Sequence, residues 1–466
     1  MFARFLYFAS VLCLTMTVLT PRACQCAEEE HKLVPSQDPF FQPTPDNQFQ
    51  DLPSAEGGSE PGEFWTPETA DFFEDLPRAI DEDGNPTDDV DERFWEQQFG
   101  ELFREVKSDW IQSGGYLEFR GDYSTNIDLS APDYDSDLRI NPNETEVADY
   151  YQTISLGYEH EFELSPDDLK GAVRYDFLLH DYTTYNREDN NVHRLELATV
   201  KKLSDDFEWE VFGGGQTDHR DRYAQYYQPD HNQWHVGTEF RKSFSEKVLA
   251  TLGYQYRNRD YDKLRGEAPP ETPFKDWYEH RFYGTYVNNL TDKLSLNLGL
   301  SFAKRNHESI TLDEFGARIP GEYRKYDLWE PVIALTSTPN DNQQITVYYR
   351  YRSLSSTGSF YDYNESVTGL LFEQKICPSR FSGLVLRSSL EYGNKNYDAQ
   401  VTEGSFGTGN PTVRDDERYT AYLALEKTID ECLTTGIDFY YTDNDSNDHS
   451  SKYQEDRYGF YLRYDF

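Results

Sequence analysis

From Gly114 to the end of the chain, apolar and polar residues alternate in segments separated by turn signals. Leu117/Phe119, Ile154/Leu156/Tyr158 and Val173/Tyr175/Phe177/Leu179 set the pattern. Leu294/Leu296/Leu298/Leu300/Phe302, Ile345/Val347/Tyr349 and Ile437/Phe439/Tyr441 repeat it. A period of two describes strands with one greasy and one polar face. The connections are unequal in a regular way. Short ones fall at 165–168, 204–206, 245–247, 291–293, 339–342, 377–379 and 430–431. Longer polar ones fall near 125–148, 186–192, 218–231, 261–276, 306–324, 354–364, 397–416 and 443–453. Seven short turns alternating with eight long loops predict sixteen strands, with both ends of the sheet on one side. Strands 10 and 12, about 325–338 and 365–376, alternate least cleanly, so the count carries an uncertainty of two.

The final strand is the sharpest case. Tyr458, Phe460, Leu462, Tyr464 and Phe466 form one apolar face, while Arg463 and Asp465 lie on the other. This segment resembles the closing strand of a bacterial outer-membrane β-barrel. The resemblance implies an outer-membrane location, lipid around the barrel, and recognition of the terminal strand by the barrel-insertion machinery. The hairpin from Arg418 through Asp438-Phe-Tyr-Tyr-Thr-Asp-Asn-Asp-Ser446 to Phe466 is similar to the β-barrel porin-2 type. Members of that group are assigned as porins or as polysaccharide-export components. The expected fold is therefore all-β: an antiparallel transmembrane β-barrel over 113–466, preceded by a disordered acidic segment and one short helix.

The N-terminal quarter reads differently. Arg4 and an apolar run from Phe5 to Leu19, then Pro21, Ala23 and Ala27, predict a signal peptide over 1–27. Cys24 and Cys26 leave a lipidated N-terminus as an alternative. Residues 28–90 are rich in Glu, Asp and Pro and hold too little apolar surface to offset the entropy of ordering. Over 91–112, Trp95, Phe99, Leu102, Phe103, Val106 and Trp110 form a narrow helical stripe. Such a helix suits the periplasmic rim, the lumen or an oligomer contact. Residues 28–112 also offer a surface for a periplasmic or cell-wall partner.

Net charge is −41 over 466 residues, and residues 1–112 hold 24 of the 85 acids but only 7 of the 44 bases. Mean hydropathy is −0.83, which a transmembrane barrel tolerates because lipid-facing and lumen-facing residues average out. The 36 tyrosines and 30 phenylalanines suit girdles at the lipid boundary. The acidic balance argues against nucleic-acid binding, whose phosphates need a basic surface. No metal-type cysteine spacing, phosphate loop or nucleophile–base pair stands out, so neither a cofactor nor an enzymatic activity is expected. His160, His193 and His235 read as wall or loop residues.

Charges opposite each apolar stripe should face an aqueous lumen. These are Glu118, Arg120, Asp122, Arg174, Asp176, Glu239, Arg241, Arg257, Arg350, Arg352, Arg387, Glu391 and Arg463, with Glu159, Glu208 and Glu210 beside them. On the lipid face at mid-depth an Arg or Lys would cost about 2–4 kcal/mol. Opposed acidic and basic positions would set a transverse field, most of them acting as solvated wall. The expected function is passive diffusion of small hydrophilic solutes, with cations favoured at the mouth. An exopolymer-export barrel and a structural outer-membrane anchor are the rival readings. The third outer connection, His219 to His231, is only a short aromatic-rich stretch, which leaves either a constriction built from another element or a wide pore. Cys377 and Cys432 fall in successive short turns and predict a disulfide stapling two hairpins. A mobility or mass change on reduction is the expected result.

Overall fold

The computed structural model describes residues 113–125, 148–165, 169–183, 190–220, 231–261, 276–312, 318–340, 342–376, 383–402, 412–429, 432–448 and 451–466. The expected signal peptide, acidic segment and helix therefore lie outside the described residues. So does Cys377, and with it the expected disulfide.

Sixteen strands follow in order: β1 (Ser113–Ser124), β2 (Asp149–Ser165), β3 (Leu169–Tyr182), β4 (Asn190–Ser204), β5 (Phe207–Arg220), β6 (His231–Ser245), β7 (Val248–Tyr261), β8 (Trp277–Thr291), β9 (Leu294–Leu312), β10 (Arg318–Asn340), β11 (Gln343–Ser356), β12 (Tyr363–Ile376), β13 (Leu384–Val401), β14 (Val413–Thr428), β15 (Leu433–Ser446) and β16 (Tyr453–Asp465). Each pairs antiparallel with its chain neighbours, and β1 pairs with β16 to close a barrel. The closing seam runs from Ser124↔Arg457 to Tyr116↔Asp465, and Gly115 and Phe466 exchange two 2.8 Å backbone hydrogen bonds beyond it. Closure leaves no strand edge unpaired, the condition for a sheet to lie in hydrocarbon.

The short turns are encoded locally. The backbone N–H of Lys247 donates to Ser245 Oγ at 3.3 Å, that of Lys293 to Thr291 Oγ1 at 3.2 Å, and that of Asn342 to Asn340 Oδ1 at 3.0 Å. Ser, Thr and Asn thus mimic a turn in their own side chains. At the Ser204–Phe207 turn, hydrogen bonds from Lys242 and Ser204 hold the exposed Asp206 carboxyl below its ordinary range.

Most strands expose one apolar face. Phe119, Leu156, Leu195, Leu197, Trp234, Val236, Leu252, Phe282, Leu300, Ile333, Val347, Ile437 and Phe460 are among its members. A continuous apolar belt of this size on a single chain marks a membrane contact. Aromatic pairs edge it, including Tyr123–Tyr150 at 4.6 Å, Trp234–Tyr256 at 5.2 Å and Tyr392–Tyr419 at 5.0 Å between ring centroids. On the outer face of β9 and β10, Lys304 and Asp327 form an ion pair at 3.2 Å. Strands of 12–23 residues exceed the roughly 9–11 needed to cross a bilayer, so their ends project beyond it.

The long hairpin of β9 and β10 differs from expectation. Residues 306–324 were expected to be a loop, but pairing continues to Arg318↔Leu312 through register shifts between Arg318 and Lys325. Gly321, at φ +82°, lies in that irregular stretch, a conformation other residues rarely adopt.

Candidate functional site: the inner wall

The other face of each strand is buried, and its side chains reach past their immediate neighbours. Arg120 on β1 meets Asp438 on β15 at 2.9 Å, Tyr283 on β8 meets Glu239 on β6 at 2.9 Å, and Arg418 on β14 meets Glu365 on β12 at 3.5 Å. Strands two apart converge this way only on the concave side of a cylinder. The buried face is therefore the inside.

Register places Glu118, Arg120 and Asp122 on this inner face of β1, level with Arg463, Tyr461 and Gly459 of β16. Arg174 and Asp176 follow on β3, Glu239 and Arg241 on β6, Arg257 on β7, and Arg350 and Arg352 on β11. Arg387 and Glu391 share it on β13, opposite Ala424 and Thr420. The same face carries charges that sequence reading passed over: Arg259, Glu279, Arg281, Arg305, Arg324, Glu330, Glu365, Glu373, Arg418, Glu426, Asp438 and Arg457. These side chains are not separately solvated. Glu330 and Arg281 are completely buried, and charges interlock, as in Arg241 with Glu210 (2.7 Å) and Glu239 (2.6 Å) and Arg352 with Glu330 (2.6 Å) and Glu365 (3.2 Å).

The charges are sectored. Among the described inner positions of β7–β11, seven arginines (257, 259, 281, 305, 324, 350 and 352) stand with two acids, Glu279 and Glu330. The sector across the barrel, β15 through β1 to β3, carries acids in excess: Asp438, Glu455, Asp465, Glu118, Asp122, Asp149, Glu159, Glu161 and Asp176 against Arg120, Arg174, Arg457 and Arg463, beside the rim pair Glu163 and Lys170. A solute entering the barrel would meet a field directed from one wall to the other.

The basic sector centres on Glu279. Arg257, Glu279 and Arg305 form one rung across β7, β8 and β9. Glu279 accepts from Arg281 at 3.0 Å and Arg305 at 3.1 Å, with Arg257 at 3.5 Å. Trp277, one rung above, lies beneath Arg305 (4.2 Å), Arg259 (5.3 Å) and Arg257 (5.5 Å), so its ring face meets three cations.

A second device recurs four times. In each case a tyrosine lies over a glycine on the next strand and donates its hydroxyl hydrogen to an acid on the strand after that. The rungs are Tyr116–Gly157–Asp176, Tyr283–Gly253–Glu239, Tyr348–Gly369–Glu391 and Tyr461–Gly436–Glu426, all in strict register. The hydroxyls reach Asp176 at 3.3 Å, Glu239 at 2.9 Å and Glu426 at 2.7 Å, and Tyr348 also bonds Glu391. A Cβ on any of these glycines would intrude on the ring. His235 and Glu196 meet at 3.1 Å across Gly214, where the Glu196 carboxylate lies over the glycine, while His193 faces outward and bonds Tyr175 at 2.8 Å.

The connection expected as a polar outer loop at 354–364 contains a 3-10 turn, Ser359–Tyr361, whose Phe360 and Tyr361 are buried. They pack with Ala303, Tyr326, Leu328, Leu354, Tyr363 and Tyr397, all inner-wall residues of β9–β13. The turn thus folds into the barrel.

Together these features define the class: a closed sixteen-stranded, porin-like outer-membrane β-barrel with an oily outside and a charged inside. No protein family and no curated protein matches the sequence. Solved structures of similar outline include Acinetobacter baumannii OccAB3, at 11% identity over 76% of this chain and 99% of that one (TM-score 0.43). Pseudomonas putida OprB is similar at 10% identity over 76% and 94% (TM-score 0.46). A bacterial polysaccharide outer membrane secretin is similar at 9% identity over 75% and 98% (TM-score 0.38).

Proposed function

We propose that the protein is a passive channel through the outer membrane for small hydrophilic solutes and does no chemistry on them. The observation that carries this reading is the inner wall: a barrel needing only an anchor would not require interlocked, sectored charges along its interior. Cations should be favoured at the mouth, because the acidic excess of the chain exceeds what the inner wall carries and so belongs to loops and the segment 28–112. That segment is the surface we assign to a periplasmic or cell-wall partner, and Tyr458–Phe466 the strand read during barrel insertion.

Purified protein in planar bilayers should give stepwise, ohmic currents. Cation preference should be clear in dilute salt and fade toward 1 M, as the screening length falls from about 10 Å to about 3 Å. No conductance, or anion preference in dilute salt, would sink the reading.

The seven-arginine sector favours one alternative, a conduit for an anionic polymer. Micromolar polyuronate blocking the current, with neutral dextran of equal length inert, would decide for it.

A further inference from the structure

We propose that the Ser359–Tyr361 turn is the element that sets the size limit of the pore. This rests on the channel reading above and names the part of the wall that would do the sieving.

The turn is built to stay inside. β11 and β12 are 14-residue strands, while β10 and β13 beside them run to 23 and 18 residues. The β11–β12 connection therefore ends below its neighbours and has their inner faces to lie on. It is tied to both sides. Thr357 N–H donates to the Lys325 carbonyl at 3.1 Å, its hydroxyl to the Tyr323 carbonyl at 3.0 Å, and Asp398 N–H to the Asp362 carbonyl at 2.8 Å. The Asp362 carboxylate folds back onto the Ser356 N–H at 2.6 Å.

The apolar residues match this placement. Phe360 and Tyr361 meet edge-to-face at 5.2 Å, and Tyr361 meets Tyr326 at 6.2 Å. The Arg324 guanidinium lies 4.9 Å from the Tyr361 ring centroid, so the aromatic ledge continues into the arginine sector. Among the described residues this is the one connection between strands that forms a buried apolar cluster with the inner wall.

The magnitude is enough to matter. Sixteen strands spaced about 4.8 Å apart and tilted about 40° close a cylinder roughly 30 Å across its backbone. A segment packed on that wall through its side chains sits about 10 Å inside it, the spacing of two packed layers. The turn then reaches about a third of the way across. Pore diameter is a primary determinant of what passes.

The test uses the full chain in planar bilayers and in liposomes challenged with sugars of increasing size. Phe360→Ala with Tyr361→Ala should raise single-channel conductance roughly 1.5- to 2-fold and admit larger sugars. Tyr361→Phe, which keeps the ring, should leave both unchanged. If the double variant fails to fold, Ser359→Cys decides: a bulky thiol reagent should reduce its current and leave the unsubstituted protein's current intact. A conducting parent whose variants keep its conductance and size limit, or a modified Ser359→Cys protein with full current, overturns the ledge alone. A parent without conductance overturns the channel and the ledge together.

Discussion

Replacing Glu279 by leucine is expected to unfold the barrel at markedly lower denaturant, by about 3–5 kcal/mol, the usual cost of removing one partner from a buried ion cluster. Glu279 is 1% exposed, and Arg281, Arg305 and Arg257 converge on its two oxygens. Leucine would leave those guanidinium groups around an apolar side chain, with Trp277 offering only a weak cation–π contact to Arg305 and Arg257. Glu279→Gln should cost less, because it keeps an acceptor oxygen while losing the charge. The urea midpoint, or the temperature at which the folded gel band converts to the unfolded one, reads the difference. Arg241→Met serves as the comparison: it leaves Glu239 its bond from Tyr283 and should cost less than Glu279→Leu. Equal midpoints for parent and Glu279→Leu would show that the three arginines are held by other means.

How much of this was legible in the sequence depends on which faces differ in polarity. Where the outside is greasy and the inside charged, as on β1 or β3, alternation alone places Arg120, Asp122, Arg174 and Asp176. β8 defeats that reading because it is aromatic on both faces: Trp277 and Tyr283 point inward, while Tyr278, Phe282 and Tyr286 point outward. Glu279 and Arg281 were missed with it, and the centre of the basic sector was missed too. The poor alternation of strands 10 and 12 has a different cause. Their inner faces carry Leu328, Val332 and Ala334, and Val367 and Leu371, beside outward apolar residues such as Trp329, Ile333 and Leu335. An inner wall is apolar where something apolar covers it, and Phe360 and Tyr361 cover part of this one. Of those inner-face residues Leu328 packs with the turn, whereas Ala334, Val367 and Leu371 pack with Tyr348, so the irregular alternation has more than one cause. The tyrosine rungs were not legible, because they depend on register across three strands, which a single strand's pattern does not contain.

Those rungs support the second large prediction, a coupling between a glycine and a tyrosine on neighbouring strands. In Gly253→Ala the new methyl would collide with the Tyr283 ring. The ring must then lift away from the wall and give up its 2.9 Å bond to Glu239. Overpacking of this kind costs about 1–3 kcal/mol. In a Tyr283→Ala background the same methyl meets no ring, so the Gly253→Ala penalty should nearly vanish. The double-mutant cycle should return a coupling of at least about 1 kcal/mol. Gly121→Ala supplies the control, since this outward glycine has nothing within 4 Å of a built Cβ. Its loss of chain entropy in the unfolded state should leave stability unchanged or raise it by about 0.4–1 kcal/mol. The opposite signs expected at two strand glycines separate close packing from a general intolerance of substitution. Additive single-variant effects at Gly253 and Tyr283 would mean that the ring does not depend on the glycine, and the same logic would then fail for Gly157, Gly369 and Gly436.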